Sequence, residues 1–312
     1  MTGTGPDAPL PDPLQVLGAE GPWKHHDVAA NGSRFHVVSA GAGPMVLLLH
    51  GFPMFWWTWR HLLRALPPAG YRAVAMDLRG YGGSDHPPHG YDPFTLASDV
   101  GAVIRSLGET SAVVVGHGLG GLVGWTMGAV HPDFTRAVAA VGMAHPERLR
   151  AALLRERRQR GVGCYAMRQQ LPFLPERRLT SHDAARVEVL LRAWSGSAHW
   201  PSAEEAATYR AAMLVPGSAY GAVEFSRWAV RSVPRRDGRR YATAMREPVT
   251  VPTLVLHGRR DEVVLAATVD GSEQHVSAPY QRVDLDCGHF PHEELPAQTE
   301  AALLPWLASL PD

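Results

Sequence analysis

The segment Ala112–Val115 runs without a spacer into Gly116-His-Gly-Leu-Gly-Gly121, and a helical stretch to Val130 follows. Adjacent β-branched residues favour a strand, and an unbroken apolar run favours one buried on both faces. Such a strand, turning straight into a helix through small residues, belongs in a parallel sheet covered by helices.

The rest of the chain follows the same pattern. His25–Ala30 and Arg34–Ser39 read as strands joined by Asn31-Gly32, a hairpin turn signal. Met45–Leu49 is continuously apolar, and Tyr71–Met76, Ala137–Val141, Val251–Leu256 and Gln281–Leu285 complete eight strand candidates. Helical spacing appears over Trp57–Leu66, Phe94–Leu107 and about Glu293–Leu307. The expected fold is α/β: a mostly parallel eight-stranded sheet flanked by helices.

Between residues 146 and 247 no buried-strand run occurs, and the segment holds 19 arginines against 10 acids. It is expected to be a helical cap of net charge +9, set on a core (23–145 and 248–312), with the rest of the chain carrying the compensating −9. The total of zero excludes a global field for nucleic acid or anionic lipid. The bland reading of the basic cap is a solvated surface; the sharper one is attraction for an anionic ligand or a partner.

Met1–Gly21 is rich in proline and glycine, with neither the basic nor the apolar region of a secretory signal. A loose tail is expected over 1–22. No apolar run reaches the roughly 18 residues a membrane span needs. Cys164 and Cys287 lie far apart with no metal-ligand spacing, so neither a disulfide, a metal nor a cofactor is implied, and a cytoplasmic location is the natural reading.

Four segments carry candidate chemistry. His50-Gly-Phe-Pro53 follows a buried strand and can aim backbone N–H groups, that of Phe52 among them, at a developing oxyanion. Gly116–Gly121 forms a strand–turn–helix elbow, where the N–H of Leu119 could do the same. His257-Gly-Arg-Arg-Asp261 offers a carboxylate, and Asp286-Cys-Gly-His289 an imidazole. A carboxylate behind a histidine fixes its tautomer and stabilises the imidazolium.

In this order the segments resemble the α/β-hydrolase family, nearest to epoxide hydrolases and haloalkane dehalogenases. The resemblance runs from about Trp23 onward. It also rests on Trp56, Trp57 and Trp59, on Asp77-Leu-Arg-Gly-Tyr-Gly-Gly-Ser-Asp85, and on His145-Pro146 through Leu171-Pro-Phe-Leu-Pro-Glu176. It implies catalytic roles for Asp261 and His289, a lid tyrosine at Tyr165, and a small apolar ligand between core and cap. A homodimer stays open. Two positions depart from the family pattern. The elbow centre, where a nucleophile stands, is Gly118, which has no side chain to form a covalent intermediate. The place of a second lid tyrosine holds Ser226, with Tyr220 or Tyr241 as candidate substitutes.

Several competing readings bear on these residues. Gly116-x-Gly118-x-x-Gly121 also fits a dinucleotide fingerprint, but no acid stands at the strand end near Val138–Gly142, and Asp261 and His289 would be left idle. His117 and Cys287 read as packing residues, the tryptophans as wall and core, Asp77 and Asp85 as loop supports, and Cys164 as a candidate facing the cavity. Three functions remain open: a hydrolase in which His289 activates water directly; a non-catalytic ligand-binding protein; and a lyase or isomerase using the Asp261–His289 pair for proton transfer.

Overall fold

The computed structural model describes residues 9–311. Its strands are β1 (Lys24–Ala30), β2 (Ser33–Ala40), β3 (Met45–Leu49), β4 (Arg72–Met76), β5 (Ala112–His117), β6 (Thr135–Val141), β7 (Thr253–Gly258) and β8 (Tyr280–Leu285). They form one sheet in the order β1-β2-β4-β3-β5-β6-β7-β8, in which only the β1–β2 and β2–β4 pairs are antiparallel. Asn31 and Gly32 close the first hairpin with φ of 45° and 72°, the left-handed pair that a tight two-residue turn demands.

The helices are α1 (Pro13–Leu17), α2 (Arg60–Ala65), α3 (Pro93–Ser106), α4 (Leu119–Val130), α5 (Pro146–Arg155), α6 (Arg157–Arg168), α7 (Leu174–Trp194), α8 (Ala203–Met213), α9 (Ser218–Arg231), α10 (Arg236–Ala244), α11 (Ala266–Val269), α12 (Pro291–Glu294) and α13 (Pro296–Ala308). Capping explains the ends of several. Asp92 caps α3 through Thr95 N, with Pro93 in the first turn, and Ser202 and Glu205 form a reciprocal capping box on α8. Helices α5 to α10 fall between β6 and β7. Among the described residues, no helix is long and apolar enough to cross a membrane.

Two sequence expectations are corrected here. Residues 13–17 are not a loose tail: Asp12 caps α1, Val16 and Leu17 are buried, and the carbonyl of Leu17 accepts the Trp56 indole N–H at 2.9 Å. A five-residue helix has no independent stability, so these tertiary contacts hold it. Residues 1–8 lie outside the described residues. The C-terminal helix is broken at Leu295, where φ −137° and ψ 60° separate α12 from α13 before Pro296.

β3 and β5 are buried along their whole length. Their register pairs Leu49 with Gly116, and the next pairs set His117 beside Val141, Val141 beside Leu256 and Gly258 beside Leu285. The carboxyl ends of β3, β5, β6, β7 and β8 therefore finish side by side, and the loops leaving them share one edge. The elbow after β5 is tight: a Cβ on Gly116 would lie 2.1 Å from the Gly120 carbonyl oxygen, and one on Gly120 2.1 Å from that of Leu49. These glycines are accounted for by close backbone packing alone.

Candidate active site

Each loop at that shared edge delivers one component. After β7, the Asp261 N–H donates to the Gly258 carbonyl and the carboxylate turns inward. Its Oδ1 accepts the N–H groups of Val263 (2.7 Å) and Val264 (2.9 Å), and its Oδ2 lies 2.8 Å from His289 Nδ1. The carboxylate only accepts, so Nδ1 carries the proton and Nε2 is left with a free lone pair. His289 is 4% and Asp261 3% exposed.

The ring of His289 is held from several sides. Its backbone N–H donates to the Trp194 carbonyl (2.8 Å), and its own carbonyl accepts from His117 Nε2 (2.9 Å). The Trp194 ring stands edge-on at 6.1 Å. His117 and His292 pack behind it in turn, tilted, at 4.7 and 4.6 Å between centroids, and burial holds both well below the ordinary imidazole range.

Gly118, between β5 and α4, has φ 51° and ψ −112°. Its N–H donates to Val141 and its carbonyl accepts from Leu122. A Cβ built there would meet only His289 Nε2 at 3.5 Å and Gly51 Cα at 3.7 Å, both ordinary contacts. Space for a side chain is thus present beside the imidazole, and only the backbone angle opposes one. Gly118→Ser is therefore expected to lower stability by about 1–3 kcal/mol through that strain. The urea midpoint checks this, and a midpoint equal to wild type would show that the turn relaxes without cost.

Around this opening, the N–H groups of Phe52 and Leu119 have no protein acceptor among the described residues. His50 fixes the first loop, with Nδ1 donating to Gly51 O and Nε2 accepting the Leu78 N–H, each at 3.0 Å. Tyr165, on α6, packs against Phe52 (6.0 Å) and Trp194 (5.6 Å). Burial pushes its hydroxyl above the ordinary phenol range, so it stays a donor at neutral pH.

Tyr220 and Tyr241 do not take the second phenol's place. The hydroxyl of Tyr220 donates to the Pro88 carbonyl, and that of Tyr241 pairs with Thr126. Ser226 lies on α9, where its carbonyl accepts from Gln170. Cys164 is exposed, which removes it as a residue facing a cavity. Trp56 and Trp59 are fully buried core, and Asp77 binds the backbone N–H groups of Trp56 and Gly83.

The sequence reading passed over Tyr81. Its hydroxyl is buried without a partner, its ring packs on His50 at 4.8 Å, and burial pushes its ionisation upward. Its place inside the Asp77–Asp85 segment was the available signal. Also unforeseen is a buried polar cluster beneath the packed histidines. Glu293 Oε1 accepts from Arg60 Nη1 (2.6 Å), Thr58 Oγ1 (3.0 Å) and the Tyr209 hydroxyl, and Arg60 Nη2 reaches Glu205 at 2.6 Å.

A family model for the alpha/beta hydrolase fold matches residues 44–296. Epoxide hydrolase 4 of Mus musculus is 32% identical over 239 residues, 74% of this chain, which spans 64% of that protein's length. Epoxide hydrolase A of Mycobacterium tuberculosis is 31% identical over 318 residues, covering 91% of this chain and 97% of that protein. The crystal structure of Epoxide Hydrolase A from Mycobacterium thermoresistibile superposes with a TM-score of 0.80 at 27% identity, over 93% of this chain and 99% of the other.

Proposed function

This chain belongs to the α/β-hydrolase fold family, and we propose that it hydrolyses an epoxide or ester by direct attack of water, with no covalent intermediate at the elbow. The observation that carries the reading is the 3.5 Å between His289 Nε2 and the site a Cβ on Gly118 would occupy. A water in that space is within reach of a general base whose tautomer Asp261 sets.

His289 Nε2 takes a proton from the water as its oxygen bonds to a ring carbon of the epoxide. The carbon–oxygen bond of the ring breaks and its electron pair goes to the ring oxygen. Tyr165 hydrogen-bonds that oxygen, and the proton on His289 passes to the alkoxide to give the diol. For an ester, the N–H groups of Phe52 and Leu119 would hold the tetrahedral oxyanion, and His289 would return its proton to the leaving alcohol. In this reading residues 146–247 act as a cap that excludes bulk water, and the two unpaired cysteines support a reducing, cytoplasmic setting.

A single turnover of an epoxide in 18O-water with enzyme in excess tests the mechanism. Direct attack labels the product in the first turnover. Unlabelled first-turnover product means that an oxygen came from the protein, and overturns the reading. No turnover across a panel of epoxides and esters overturns it in favour of a ligand-binding role.

A further inference from the structure

We propose that α6 and α7 form a site for an organic oxyanion (a carboxylate, phosphate or sulfate carried on an apolar body), so that the ligands of this protein are amphiphilic acids. A cavity of about 320 Å³ is bordered by Tyr165, Arg168, Gln169, Arg178 and Arg186, with Pro175 and Leu179 as its apolar wall. Among the described residues none of these three arginines pairs with a carboxylate, whereas their neighbours do: Arg192 and Arg210 share Glu188, and Arg227 holds Glu176 and Glu224. All three arginines are exposed, so solvent screens them from one another, but together they leave the cavity rim positive, and their planar forks match the oxygens of carboxylate and phosphate.

Gln169 also borders the cavity. It is 7% exposed, and its side-chain oxygen is buried with no partner. That oxygen only accepts hydrogen bonds, so the anion falls to the arginines. The wall is also held rigidly. Arg227 Nε donates to the Gln169 carbonyl (3.0 Å), Nη2 to the Leu171 carbonyl (2.8 Å), and Nη1 to Glu176 Oε1 (2.6 Å). Helix α7 leaves helical angles from Ser181 to Ala184, so Arg178 before the break and Arg186 after it both border the cavity.

Tyr165 connects this cavity to the catalytic centre. It borders the cavity and contacts Phe52 and Trp194, and Trp194 contacts His289. An anion seated among the arginines would leave its apolar body directed past Tyr165. Only this placement of the reactive end rests on the proposed hydrolysis; the anion site itself requires no turnover.

Calorimetric titration of the wild-type protein with benzoate, phenyl phosphate, phenyl sulfate and neutral benzamide tests the site. At least one anion should bind roughly tenfold or more tightly than benzamide, and its identity shows which oxyanion the cavity takes. The margin should vanish in Arg178→Gln/Arg186→Gln and persist in Arg157→Gln/Arg160→Gln, which removes the same charge outside the cavity. Benzamide binding as tightly as every anion, or equal losses in the two arginine pairs, would overturn the assignment. Anion binding without turnover leaves the site standing and removes only the hydrolytic reading.

Discussion

Asp261→Asn should lower turnover by about 10²–10⁴-fold although the two side chains have the same shape. The reason lies in the far side of the carboxylate. Oδ1 accepts the N–H groups of Val263 and Val264, so an asparagine must keep its oxygen there and point its NH2 group at His289. The imidazole would then accept at Nδ1 and carry its proton on Nε2, the wrong tautomer for a base facing the space at Gly118. His289→Ala should cost as much, and the double variant little more than either single one, because the two residues act as a unit. Turnover kinetics of the three variants check this. An Asp261→Asn protein with near wild-type rates would place the base elsewhere.

Glu293→Ala should reduce stability by about 3–5 kcal/mol, the cost of removing one partner of a buried ion pair and leaving Arg60 with Glu205 alone. Arg60 is 7% exposed, and Glu293 also receives Thr58, Tyr209 and the Trp200 indole. Four side chains thus lose their shared acceptor. Glu205, on the more exposed side of Arg60, sets the scale for comparison. Glu205→Gln should cost at most about 1 kcal/mol, as for a partly solvated pair. Urea denaturation of both variants decides the matter, and equal losses would mean that Arg60 finds water once Glu293 is gone.

The sheet was legible in the sequence because its strands announce themselves locally. Val113–Val115 and Met45–Leu49 are apolar runs that only a doubly covered strand can use, and Asn31-Gly32 fits a single kind of turn. The four site segments were legible for a related reason: each follows a strand end, and parallel strands bring their carboxyl ends together. What escaped depends on contacts between distant segments. Helix α1 has too few residues to show a period, and it exists through Trp56 and the packing of Val16 and Leu17. Tyr81 reads as one aromatic residue in a glycine-rich loop until the fold seals its hydroxyl and sets its ring on His50. Arginine spacing along α6, α7 and α9 likewise gives no sign that Arg227 is neutralised while Arg178 and Arg186 are not, because their partners are chosen by packing.

The backbone at residue 118 already has the left-handed φ of a turn built to present a side chain, with none present. The scaffold and its cargo are therefore separable. Codons for glycine and aspartate can differ by a single base, so a lineage can cross between an armed and an unarmed turn in one mutational step without reshaping the surrounding loops. The barrier to that crossing is the conformational preference of one residue.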